Sequence, residues 1–156
     1  MIYAADRGRM CNNILQFGHV WAFARRHGRL CVSTRLCYKY PYFRISRDPR
    51  HNPLRYFLSK TAASLRLMPV VSFDDPDESE ESRRRKDDFI LAQCNVMVRG
   101  WEVRHYDDFL RYKKEFLELF AFLPEVERKV APPLEKACGR LRIGIHVRRG
   151  DYARWQ

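Results

Sequence analysis

Toward the carboxyl end of the chain, Arg148 and Arg149 stand side by side, with His146 before them and Gly150 and Asp151 after them. Successive residues on an extended chain point to opposite sides. One guanidinium can therefore face a phosphate in a cleft while the other pairs with a carboxylate such as Asp151. Residues 141–147 read as a strand that opens directly into this group, and the carboxyl ends of strands are where open α/β sheets bind ligands. The competing reading makes the two arginines an exposed basic pair and His146 a core histidine with a satisfied hydrogen bond. Arg149-Gly150-Asp151 also spells an adhesion tripeptide, a role that needs a secreted chain.

A second group lies near the amino terminus, where Arg9 and Asn12 sit in a polar loop that leads into a helix. Over residues 12–27, Ile14, Leu15, Phe17, Trp21, Ala22 and Ala24 recur at helical spacing, with Asn12 or Asn13 available as N-cap and Gly28 as the stop. A loop entering a helix N-terminus is suited to meeting a phosphate group. Asn12 reads equally as a plain cap. Arg9 beside it is open to the same two readings.

The elements that must hold these groups follow from pattern. Residues 30–34 read as a strand, 38–53 as an irregular aromatic and proline-rich connection, and 54–67 as a helix. Residues 68–73 form a strand that Pro69 confines to an edge or to the strand's start. Residues 74–88, acidic and then basic, read as a loop, and 95–98 as another strand. Residues 107–123 read as a helix with Phe109, Leu110, Phe116, Leu117, Phe120 and Leu123 on its apolar side, stopped by Pro124. A short helical piece broken at Pro132-Pro133 precedes the last strand. Strands separated by helices imply an α/β fold with a largely parallel sheet.

At 156 residues the chain is long enough for one domain with a real core. Its 46% hydrophobic and 13% aromatic content excludes a disordered chain despite 31% charged residues. The net charge of +11 favours an anionic partner: a nucleotide-sugar, a nucleic acid or an acidic membrane surface. Arg83-Arg84-Arg85-Lys86 alone spells a localisation or nucleic-acid patch, but compensating acids adjoin it. The five cysteines include no C-x-x-C pair, so neither a zinc site nor a disulfide framework is expected. His19, His27, His51 and His105 lack ligand spacing and read as surface or core residues, so no metal is expected. No stretch resembles a signal peptide or reaches the ~18 apolar residues that span a bilayer. The expected location is the cytoplasm, with association at the membrane surface compatible with the charge.

His146-Val147-Arg148-Arg149-Gly150-Asp151-Tyr152 resembles the H-x-R-R-G-D-Y signature of the α-1,2-fucosyltransferases. The run from Gly8 to Gly18 is similar to that family's G-R-L-G-N-Q-x-x-Q-Y-A opening: Gly8, Arg9, Asn12 and Gln16 are kept, while Cys11, Asn13 and Gly18 depart from it. Gly100-Trp101, ahead of the long aromatic helix, is a softer echo. The resemblance implies a GT-B-like architecture in which residues 1–138 form a Rossmann-like N-terminal domain. Residues 139–156 would then be the start of the nucleotide-sugar-binding domain, truncated before the parts that recognise guanine and ribose.

The implied activity is inverting transfer of L-fucose from GDP-fucose to a galactose-terminated glycan acceptor, without a metal cofactor and without activity in the truncated chain alone. Arg148 is implied as the catalytic group at the β-phosphate. His146, Arg149 and Asp151 shape its surroundings, and Asn12 and Arg9 approach the sugar diphosphate from the first domain. No carboxylate is assigned as general base. Two other readings stand beside this one: a basic nucleic-acid-binding module, and a nonfunctional remnant of the fold. The first predicts clustered arginines and exposed aromatics on one face, whereas most aromatics here fall at core-like helical positions.

Overall fold

The computed structural model describes residues 1–5, 7–135 and 139. Residues 1–123 form one compact unit, and a second begins at Pro124. The first unit is built on a four-stranded sheet of β1 (Ile2–Ala4), β2 (Cys31–Ser33), β3 (Val70–Ser72) and β4 (Val96–Arg99), in the order β2-β1-β4-β3. Every pairing is parallel, with Ile2 opposite Cys31 on one side and Val96 on the other. An α/β fold with a parallel sheet is thus what the chain adopts.

The strands are short, and their inward residues are almost wholly buried: Ile2, Val32 and Val96 are at 0% exposure. Burial on both faces of a parallel sheet requires helices above and below it. The steps β1 to β2 and β3 to β4 run the same way across the sheet. The right-handed crossover rule therefore puts α1 (Met10–Arg26) and α4 (Glu80–Ala92) on one face. The step from β2 to β3 runs the opposite way and carries α3 (Pro53–Ser64) to the other face. The intervening connection holds a single turn of helix, α2 (Leu36–Lys39), and a 3₁₀ turn at Arg44–Arg47.

α1 is the central helix, with Phe17, Val20, Phe23 and Ala24 in the core. It packs against α5 (Tyr106–Arg111) and α6 (Lys113–Leu119), and Gly18 lets that packing happen. A Cβ at Gly18 would stand 2.6 Å from the Phe109 ring and 2.9 Å from Phe116. A glycine rather than an alanine at this position thus has a packing cause.

Several expectations need correction. α1 starts at Met10, so its N-cap is Arg9 rather than Asn12 or Asn13, and no side chain caps it. The acidic and basic run at 74–88 is not a loop throughout: Ser79 accepts from the Ser82 backbone N–H at 3.2 Å and starts α4. Only Ile90 of α4 is buried, so an apolar period was not there to be read. The helix expected over 107–123 is divided at Tyr112 and ends at Leu119. Leu110 and Leu117 face solvent at 65% and 57% exposure, because Phe109 and Phe116 already fill the side toward α1. β1 was not anticipated, since three residues give too short a run to show alternation. Among the described residues β3 pairs only with β4, an edge position that suits Pro69 just ahead of it.

In the second unit, α7 (Pro124–Glu135) runs through Pro132-Pro133 instead of breaking there. The two prolines fall in its last turn, where they forfeit two backbone bonds without ending the helix. The strand expected at 141–147, and all but Gly139 of the segment 139–156, lie outside the described residues.

Candidate functional site

A parallel sheet presents the carboxyl ends of all its strands at one edge, and there the first unit has a cleft of about 660 Å³. Arg7 follows β1, Arg35 follows β2, Asp74 follows β3, and Arg99 ends β4. Lys60 of α3 completes the wall. Among the described residues, four cations thus face one carboxylate. Asp74 is already engaged: it accepts from Ser72 Oγ at 2.5 Å and from the Trp101 backbone N–H at 3.3 Å, and it pairs with Arg7. The Ser72 hydroxyl, then the Trp101 N–H and Arg7, hold its carboxyl below the usual carboxylate range. The cleft therefore has a surplus of positive charge. Arg99 is exposed and has no side-chain partner among the described residues.

The loop from β1 to α1 forms the neighbouring rim. Asn13, 2% exposed, accepts from the Arg7 backbone N–H at 2.7 Å and donates to the Gly8 carbonyl at 3.3 Å. That fixes a tight turn at Gly8, whose φ of +83° is in the left-handed region. Trp101 lies against the turn. It is delivered there by Gly100, at φ +126°, where an added Cβ would be 2.2 Å from the Phe73 carbonyl oxygen. Phe73 donates to the Arg99 carbonyl at 2.8 Å and accepts from the Glu102 N–H at 2.7 Å, which locks this corner. Arg7 lies over the Trp101 ring, 5.3 Å from its centroid.

Arg9 and Asn12 are both exposed, at the mouth of α1. α1 has no acidic residue in its first turn and no side-chain cap. Among the described residues, no side chain caps its first backbone N–H groups and no first-turn acid offsets the positive end of its dipole. One turn further in, Gln16 is 4% exposed, and neither its amide nitrogen nor its amide oxygen has a partner among the described residues. An unsatisfied buried amide costs about 1–3 kcal/mol.

Three segments singled out in sequence are thus treated differently by the fold. Gly8 and Trp101 are brought into contact, Arg9 and Asn12 stand exposed on the rim beside them, and His146, Arg148, Arg149 and Asp151 lie outside the described residues. Comparison with family models, with curated proteins and with solved structures finds no match. The cleft cations Arg7, Arg35, Lys60 and Arg99 were not anticipated. Arg35 and Arg99 are the first charged side chains met at or just after a strand, and Arg7 is the first cation after β1, a signal that needed β1 to be recognised.

Four histidines and the basic run serve the fold. His51 is buried, and its Nδ1 accepts from the Ser33 backbone N–H at 3.1 Å, with burial pushing its pKa down to about 4. His19 Nδ1 accepts from the His105 N–H at 3.1 Å, and burial lowers the pKa of both rings, that of His105 to about 4. His27 packs its ring on Phe23 at 4.7 Å. Asp87, 3.8 Å from His105 Nε2, is pushed up to about 6 by burial and by Asp88 and Asp108. The run Arg83-Arg84-Arg85-Lys86 lies on α4 and is turned onto the protein itself. Arg84 and Arg85 pair with Glu80 and Glu81 one turn back, Lys86 pairs with Glu78, and Arg83 donates to the Glu102 carbonyl. Among the described residues no group of His, Cys, Asp and Glu could hold a metal ion. Nor is any helix among them long and apolar enough to cross a membrane.

Proposed function

We propose that the chain serves a GDP-fucose-dependent fucosyltransferase of the α-1,2 type, as the Rossmann-like first domain of a GT-B-like enzyme that continues into the H-x-R-R-G-D-Y segment. The observation that carries the reading is the rim around α1. Among the described residues, Arg9 and Asn12 are exposed on an uncapped helix N-terminus, Gln16 of the same motif is buried with its amide unpaired, and a cleft with surplus positive charge adjoins them. A diphosphate is the ligand chemistry that suits such a rim.

In the reaction, a hydroxyl oxygen of the galactose-terminated acceptor forms a bond to the anomeric carbon of fucose as the bond from that carbon to the β-phosphate oxygen breaks. The bonding electrons leave with GDP, and the acceptor's proton passes to a base and then to solvent. Negative charge grows on the β-phosphate at the transition state. Fixed guanidinium donors stabilise that charge most where it develops, which is the role proposed for Arg148. His146, Arg149 and Asp151 would hold its turn in place, while Arg9 and Asn12 would approach the diphosphate from the first domain.

The test is release of GDP from GDP-fucose by the full-length protein in the presence of a galactoside acceptor. Arg148→Ala should lower the rate by about 10²-fold or more, the cost of losing a transition-state donor. GDP release that is independent of both the acceptor and Arg148 would sink the proposal.

A further inference from the structure

α3 is built the wrong way round for a helix of a soluble sheet protein. Helices that cover a sheet turn their large apolar residues inward. Here the inward and flanking positions are Ser59, Tyr56, Ala62 and Ala63, buried or half-buried, while Leu54, Phe57, Leu58 and Leu65 are exposed at 66%, 61%, 61% and 63%. At 3.6 residues per turn these four fall within an arc of roughly 100°. Leu67, just beyond the helix, is also exposed, at 77%. The same segment carries no acidic residue between Asp48 and Asp74. Arg55 flanks the stripe on one side and Arg66 stands at its end, and among the described residues neither is paired with a carboxylate; Lys60, on the other side, turns onto Tyr56 in the cleft wall.

We propose that this face of α3 docks on an anionic lipid bilayer surface, lying in the headgroup plane with Leu54, Phe57, Leu58 and Leu65 buried among acyl chains. An apolar stripe of this width flanked by cations is the signature of an interfacial helix. A second copy of this chain would match the apolar stripe equally well, but it would bring the same unpaired cations against themselves. The charge of the segment selects an acidic surface instead. Membrane docking goes beyond the proposed transferase activity and does not depend on it, because no residue of the donor chemistry lies in the stripe.

The test is flotation of the full chain with vesicles of phosphatidylcholine alone and of phosphatidylcholine with phosphatidylglycerol in equal parts. The expected result is capture by the mixed vesicles, weakened by salt. The combined change Leu54→Ser, Phe57→Ser and Leu58→Ser should reduce it by at least about tenfold. These side chains are exposed, so circular dichroism should show the fold retained. If that variant does not fold, Phe57→Trp should fold and give a blue-shifted emission on adding mixed vesicles, above the background of the native tryptophans. Arg148→Ala should leave capture unchanged, which separates this proposal from the catalytic one. No capture, capture insensitive to the three substitutions, or a substitution-sensitive dimer in sedimentation without vesicle capture would each overturn it.

Discussion

Gly8 and Trp101, more than ninety positions apart in the chain, meet so closely that a methyl group on Gly8 would come within 2.9 Å of the indole ring. The contact ties the loop after β1 to the corner after β4 and shapes the rim at which α1 begins. Because Gly8 also sits at φ +83°, Gly8→Ala carries both a steric and a backbone penalty. A loss of about 2 kcal/mol or more in urea unfolding is expected. An unchanged midpoint would mean that the ring does not cover the turn.

Asn12 and Asn13 should separate cleanly. Asn12→Ala removes an exposed side chain that caps nothing, so stability should stay within about 0.5 kcal/mol while donor affinity falls. Asn13→Ala strips the turn of two hydrogen bonds at a buried position and should cost about 1–3 kcal/mol. Thermal unfolding of both variants, with GDP titration of the first, checks the assignment. Equal destabilisation by the two would return Asn12 to the role of a cap.

Much of this arrangement was legible in the sequence, and the exceptions have physical causes. α1 and β2 announce themselves because Ile14, Leu15, Phe17, Trp21, Ala22 and Ala24 recur at helical spacing and residues 30–34 follow directly from the Gly28 turn. α4 hides because its stability comes from a serine cap and charge pairs one turn apart, which leave no apolar period. β1 hides because three residues at the centre of a sheet need only Ile2 and Ala4 inside. Missing β1 concealed Arg7, and with it the way Arg7, Asp74 and Arg99 gather from three strand ends. The Gly8 to Gly18 run was readable as a motif. That its glutamine would be buried without a partner was not, since burial is set by residues distant in sequence.

Gln16 should behave as a residue kept for binding at a cost in stability. Gln16→Met keeps the side chain's length and removes two unsatisfied polar atoms, so urea unfolding should show a gain of about 1 kcal/mol. GDP affinity should fall in the same variant. A loss of stability would show that the amide has partners in the folded protein.

Acid should destabilise the fold through its neutral histidines. The pKa values of His51 and His105 are held near 4 by burial, below the ordinary 6.5, so the unfolded chain takes up their protons first. Their contribution is complete above pH 6.5 and is lost as pH falls toward 4. Asp87 has the opposite sign: its pKa, raised to about 6 from 3.8, makes the folded chain hold its proton more firmly, which offsets part of the loss. Between pH 7.5 and 4.5 these three groups together should cost about 3 kcal/mol, and His19, whose pKa burial also lowers, acts in the same direction as the other two histidines. Urea midpoints across that range check the sum, and a flat profile would mean that the two imidazoles reach solvent.

We propose that the chain belongs to an enzyme that binds the diphosphate of GDP-fucose, with Arg148 as the group at the β-phosphate. Calorimetric titration of GDP and GDP-fucose into the full-length protein, without added metal, tests it most directly. The account predicts binding of both ligands, weakened by about 1.5–3 kcal/mol in Arg148→Ala, as for a charged hydrogen bond. A folded protein that ignores both ligands, or that binds them equally well without Arg148, would contradict it.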